Sequence, residues 1–347
     1  MSADGWPAKV DDFRERTGVP AVGAGLVTPD DATFHVTGRC RRDGGLAVTV
    51  DDRWHIGSCA KAITAALYAR LVEAGLTGWD TTVAELAGPA VGGRLHPGWA
   101  DRTVVEVFHC RAGIAANLSV AAMRRAERDT RPLVEQRADA TALALRAPPD
   151  RPGRFVYSNL GYIVAGAAID HLTGTSYEQA LDEHLLGPLG ITTVGYGAPL
   201  RIRGHGPRLR AGNLALGRGA AAEPGTGTVV DNPPVLSSAG TLHLTMGDWA
   251  RFLRLFLIPA PAGDALAEGT IDRLLTVAPG PGRSMAMGWA EAQGLATAAW
   301  GMQGSSTLWS ATALLDRHRH RAALVVVNDG RTRTLTQSAH LAATILG

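Results

Sequence analysis

The chain is poor in the features that mark secreted, membrane-bound and nucleic-acid-binding proteins. Its three cysteines, Cys40, Cys59 and Cys110, are odd in number and widely spaced, which excludes a disulfide framework and fits a reducing compartment. It has no excess of one charge: 34 Lys and Arg, most of them Arg, are scattered among 32 acids for a net +2, so no basic stripe could follow a phosphate backbone. No apolar run is long enough to span a bilayer. The first residues, MSADGWPAKVDDFRERTG, lack the charged start, apolar core and small-residue cleavage site of an export signal. The expectation is a cytoplasmic protein with neither nucleic acid nor membrane as a partner. The sequence also lacks a G-x-S-x-G elbow, an H-E-x-x-H helix and a phosphate-binding glycine loop, which removes three common hydrolase and nucleotide readings. The run DRHRHR (Asp316 to Arg321) reads as a charged hairpin turn rather than a metal site, and no metal or cofactor is expected.

What is present is ample apolar material, 46% of 347 residues, enough for one large or two medium cores. KVDDFRERTG reads as a helix stopped at Gly18, followed by two strand-like runs, PAVGAGLVT and ATFHVTGRC, joined at Pro29, Asp30 and Asp31. The other end mirrors this arrangement: STLWSATALLDR and RAALVVVND are strand-like, and TRTLTQSAHLAATIL has helical spacing. The fold expected is α/β in the α+β sense. One antiparallel sheet is built from both termini (1–70 and 283–347) and flanked by helices, with a mainly helical domain (71–282) inserted and a cleft between them. Thr245 and Asp248 are placed as a capping box for the helix MGDWARFL. The Gly- and Pro-rich run from Arg201 to Pro234 is expected to be irregular.

Two short motifs carry chemistry. In WHIGSCAKAITAALYARL, Ser58 and Lys61 stand one helical turn apart on a shared face, at the start of an apolar helix where backbone N–H groups favour developing negative charge. A Ser hydroxyl is a weak nucleophile until a neighbour takes its proton. In RPGRFVYSNLGYIVAG, Tyr157-Ser158-Asn159 follows a turn and precedes a helix, which fits side chains projecting into a cleft or, equally, a packed Tyr with an Asn cap.

In this order the motifs resemble the penicillin-recognising serine hydrolases, in the branch of class C β-lactamases, D,D-peptidases and family VIII esterases. LVEAGLTGWDTTVAEL, CRAGI, SSAGTLHLTMGDWARFL and MAMGWAE extend the resemblance over nearly the whole chain. The resemblance implies that Ser58 attacks an ester or amide carbonyl and that Lys61 and Tyr157 share the proton transfers. Asn159 hydrogen-bonds Lys61 or the substrate. A phenol has a pKa of about 10, so Tyr157 acts as a base only beside a cation, and Lys61 is the candidate. Backbone N–H groups of Ser58 and of a facing strand would hold the oxyanion.

The family's third motif, K-T-G or H-x-G, is broken. The matching stretch reads WGMQGSSTLWSA. With Gly304 as the motif glycine, Met302 replaces the cation, Gln303 follows and Ser305 supplies the oxyanion N–H. In the other register, Trp300-Gly301-Met302 is the motif and Gln303 supplies it. Either register implies a substrate less anionic than a β-lactam or a peptide carboxylate. Cys110 stands where the family has His and reads as core, as does Cys59. His55 and His109 read as structural, while Trp289, Trp300 and Trp309 fit either a pocket or the core. The expected activity is hydrolysis of a small-molecule ester or amide through an acyl-enzyme on Ser58. The alternatives are transfer of the acyl group to an alcohol or amine, and a non-catalytic binding relative that keeps the fold.

Overall fold

The computed structural model describes residues 5–205, 209–211, 214–216, 231–257, 266–292, 299–306 and 308–347. Its first elements are α1 (Trp6–Thr17), β1 (Ala21–Val27), β2 (Ala32–Arg41), β3 (Gly44–Ala47), β4 (Arg53–His55) and α2 (Ala60–Glu73). A run of helices follows: α3 (Val83–Leu86), α4 (Val104–Phe108), α5 (Val120–Ala126), α6 (Leu133–Leu145), α7 (Asn159–Thr173) and α8 (Tyr177–Leu181). Then come β5 (Gly195–Tyr196), β6 (Leu209–Ala211), β7 (Leu214–Leu216), α9 (Ser237–Gly240), β8 (Leu242–Thr245), α10 (Met246–Arg254) and α11 (Glu268–Leu275). The chain closes with β9 (Ala290–Ala292), β10 (Ala299–Ser305), β11 (Ser310–Asp316), β12 (Arg321–Val327) and α12 (Thr332–Leu346).

The expected sheet from both termini is present. Its order is β3-β2-β1-β12-β11-β10-β9, antiparallel throughout, and Val22 of the first strand sits opposite Val327 of the last. Helix α1 ends where expected, at Gly18 with φ 63°, a left-handed stop that costs glycine little. The sheet is apolar on both faces because both are covered. Leu314 and Val325 join α1 and α12 on one side, while Ala311, Ala313 and Leu315 join α2, α7 and α10 on the other.

Helix α2 lies inside that second core and is buried almost all round, from Ala60 to Leu71. A helix so enclosed has no solvent face for a charge, yet it contains Lys61. Helix α10 falls within the stretch expected to form the inserted domain, but it packs on the sheet: a Cβ built on Gly23 would lie 2.8 Å from Met246 Sδ, and Arg254 donates to the Thr28 carbonyl at 3.0 Å. Its capping box is half made. Thr245 Oγ1 accepts from Asp248 N, but the Asp248 carboxylate takes the N–H groups of Thr192 and Thr193 instead of reaching back.

A second sheet, β4-β8-β5, was not legible in the sequence; it ties the segment before Ser58 to the far end of the helical stretch. The helices there close around a buried guanidinium. Arg137 makes two bonds to Asp170, two to Glu178 and one to Ser237 Oγ, which fixes α9 against α6, α7 and α8. Of the run expected to be irregular, much lies outside the described residues, and β6 and β7 form a short ladder within it. Among the described residues no helix is long and apolar enough to cross a membrane.

Candidate active site

Ser58 sits in a single 3-10 turn, Gly57–Cys59, between β4 and α2. Gly57 has φ +52°, and a Cβ there would lie 2.6 Å from Ser305 N. Residue 57 is therefore glycine for two reasons: the left-handed backbone, and the close approach of β10. The same is true from the other side. A Cβ on Gly304 would overlap the Ile56 carbonyl oxygen and lie 2.7 Å from Ser58 N, whereas one on Gly301 would meet chiefly Leu314. Gly304, and not Gly301, is the glycine that lets β10 lie against Ser58.

Lys61 points from α2 toward this turn with only 1% of its surface exposed. Its Nζ donates to Ser58 Oγ at 3.1 Å, to Asn159 Oδ1 at 2.8 Å and to the Ala239 carbonyl at 2.6 Å. Three donated bonds match the three hydrogens of an ammonium and supply the partners that a buried cation requires. Two aromatic rings complete its surroundings, with centroids 4.9 Å away for Tyr157 and 5.3 Å for Tyr162. The two phenols differ in access. Tyr162 is buried and donates to the Phe108 carbonyl, and burial pushes its pKa well up; Tyr157 is 39% exposed and lines the cleft.

The segment carrying Tyr157 is set by Ser158, which is the N-cap of α7; its Oγ accepts from Gly161 N at 2.7 Å and donates to the Ala115 carbonyl at 2.6 Å. Asn159, read in one alternative as the cap, is instead the first helical residue. Its Nδ2 donates to Asn117 Oδ1 at 2.7 Å, leaving Oδ1 for Lys61. Asn117 and the Ala239 carbonyl were missed by sequence reasoning because each acts across a long separation, and neither residue type is informative alone.

Strand alternation sorts the third motif. Met302 is buried with the α2 side of the core, while Gln303 turns to the opposite face, where Nε2 donates to Thr312 Oγ1 and to the Leu335 carbonyl of α12. Gln303 lines the same hollow as Ser58, Lys61 and Met302 all the same. Trp300 is half-buried against the main core. This hollow, of about 620 Å³, takes in Ser58, Lys61, Phe155, Tyr157 and Met302, and continues around the β9–β10 edge to α12. Arg283, Glu291 and His340 stand on its walls, and sequence reasoning had singled out none of them.

Other candidates fall into the core. Cys59 Sγ lies 3.9 Å from the Ala311 carbonyl, and burial pushes its thiol pKa far up. Burial also raises that of Cys110, which adopts φ 56°. His109 donates to the Met285 carbonyl through Nδ1, and burial holds its pKa below the ordinary value. Trp289 and Trp309 are buried. Asp316 to Arg321 form the turn between β11 and β12.

Residues 7–345 match the protein family described as Beta-lactamase. The chain belongs to that family. It is 30% identical over 270 residues to "Penicillin-binding protein 4" of Amycolatopsis lactamdurans, a match covering 75% of this chain and 65% of the relative. It is 25% identical over 259 residues to an "Unguisins hydrolase" of Aspergillus violaceofuscus, covering 70% of this chain and 42% of the relative. The chain thus spans less than two-thirds of the length of either. Among solved structures, the D-amino acid amidase of Ochrobactrum anthropi, complexed with L-phenylalanine amide, superposes with a TM-score of 0.79 at 19% identity. That match covers 100% of this chain and 98% of the amidase.

Proposed function

We propose that the protein cleaves an amide or ester of a small molecule through an acyl-enzyme on Ser58. The observation that carries this reading is the buried Lys61 amine, which donates to Ser58 Oγ at 3.1 Å, with the Tyr157 ring centroid 4.9 Å from its Nζ at the wall of an open cleft. With its three hydrogens engaged, Lys61 orients the hydroxyl and stabilises negative charge, and Tyr157 is the group that takes the proton. As the Oγ–carbon bond forms, the carbonyl oxygen gains charge. Backbone N–H groups of Ser58 and Ser305 face it in this reading, a contribution on the order of 3 kcal/mol per donor in other acyl-transfer enzymes. Collapse breaks the bond to the amine or alcohol, which leaves with the proton held by Tyr157. Water then repeats the sequence on the acyl-enzyme.

Met302 supports a substrate without a carboxylate at that position, since a buried thioether offers an anion nothing. The name of the amidase favours an amide, and that of the Unguisins hydrolase favours hydrolysis. A second reading, transfer to an amine or alcohol, is supported by the apolar Phe155 and Met302 walls, which suit a cleft where a bound acceptor outcompetes water. Mixing the protein with p-nitrophenyl esters tests the scheme. The expected result is a nitrophenolate burst equal to the protein concentration, absent in Ser58→Ala; no burst from the folded wild type overturns it. Repeating the reaction with a panel of amines separates the outcomes: free acid alone indicates hydrolysis, and an acyl-amine indicates transfer.

A further inference from the structure

Immediately before the Ser58 turn lies a buried His–Asp pair that the proposed chemistry does not use. The side chains of His55 and Asp231 are 0% and 6% exposed. His55 Nδ1 accepts the Gly57 N–H at 3.0 Å, so that nitrogen carries no hydrogen, and the ring proton sits on Nε2, 2.9 Å from Asp231 Oδ2. The other Asp231 oxygen takes the Asn232 N–H at 2.7 Å. Trp309 stacks on the imidazole with centroids 5.3 Å apart and planes 15° from parallel. The ring is therefore held along its edge by the carboxylate and across its face by the indole, and its single acceptor is aimed at one peptide.

That peptide belongs to Gly57, whose φ of +52° and approach to Ser305 N set the direction in which Ser58 leaves the strand. We propose that His55, oriented by Asp231, is a positioning residue: by accepting the Gly57 N–H it fixes the turn that aims Ser58 Oγ and the Ser58 N–H. The inference rests on the reading of Ser58 as nucleophile. A small displacement of a reacting group is costly in rate, so a device for one peptide is expected to appear in the acylation rate as well as in stability. Of the two neutral tautomers, the carboxylate selects the one bearing Nε2–H, which leaves the acceptor at Nδ1.

Two variants separate positioning from packing. Asn in place of His55 puts an amide oxygen near the Nδ1 position, within reach of Gly57. Gln places its amide toward Asp231 and leaves the Gly57 N–H unserved. With a fluorophosphonate as probe, and rates taken on folded protein, His55→Asn is expected to label Ser58 within a few-fold of wild type. His55→Gln and Asp231→Ala are expected to be slower by about tenfold or more. Equal rates for Asn and Gln overturn the proposal. A second measurement does not depend on labelling: nitrogen NMR of the unliganded protein near neutral pH should find His55 Nδ1 bare and Nε2 protonated. The opposite tautomer, or an imidazolium, overturns the proposal. Failure of the wild type to label at all defeats the role of Ser58 instead, and the tautomer then decides the His55 geometry alone.

Discussion

In the proposed scheme Lys61 and Tyr157 divide the work that neither could do alone. Lys61 is one of two lysines in the chain, and the other, Lys9, is exposed on α1. The buried amine is held by three acceptors, while the phenol beside it is open to the cleft. Tyr157→Phe keeps the ring against Nζ and removes only the hydroxyl, so turnover is expected to fall about 10²-fold or more with little change in melting temperature. A wild-type rate contradicts the proton-transfer role. Met302→Lys places a cation where the chain has a thioether and is expected to shift preference toward carboxylate-bearing substrates, as read from kcat/KM across matched ester pairs; an unchanged ratio contradicts the placement of Met302 beside the reacting group. Ser58 and Lys61 were legible from their spacing on one helix face, whereas Tyr157 was singled out by the family resemblance. The bond from Lys61 to Asn159, 98 residues away, was expected from the resemblance, whereas no local pattern announces the one to the Ala239 carbonyl, 178 residues away.

The elements matter through what they forbid. Strand β10 and the Ser58 turn approach so closely that a methyl group on Gly304 has no room. Gly304→Ala is expected to cost about 1–3 kcal/mol in urea melts and to slow acylation more than stability alone accounts for, because relief requires Ser58 or Ser305 to move. Unaltered labelling contradicts that account. Helix α9 shows the converse, an element defined by its supports. Thr64 Oγ1 donates to the Ser238 carbonyl, Ser238 Oγ to the Tyr162 carbonyl, and Arg137 to Ser237, which leaves the Ala239 carbonyl aimed at Lys61. The sequence revealed where α1 stops, through Gly18, but it offered Asn159 where Ser158 is the cap of α7. It did not reveal the face of Gln303, since WGMQG mixes small, apolar and polar residues without clear alternation, and face assignment depends on register.

At the scale of the whole molecule, the pairing of the first strand with the last was legible because each terminus repeats the same helix and strand-pair pattern. The sheet β4-β8-β5 was not, because its strands are short and its partners lie far apart in sequence. The fold also buries neutral histidines. His205 is fully buried, and its pKa is lowered from 6.5 to about 4 by burial first and the Arg42 charge second. Burial likewise lowers those of His109 and His243. The unfolded chain then binds protons at higher pH than the folded one, so stability is expected to fall as pH drops from about 6.5 toward 4. Urea midpoints across that range check it, and His205→Asn should shrink the loss. A midpoint that holds or rises on acidification contradicts the burial of these rings as neutral groups.

The central claim is that Ser58 is the nucleophile. It is tested most directly by intact-mass spectrometry and peptide mapping after exposure to a fluorophosphonate. The expected result is one adduct per chain, mapped to Ser58 and absent in a folded Ser58→Ala variant. An unmodified wild type, or an adduct on another residue, contradicts it.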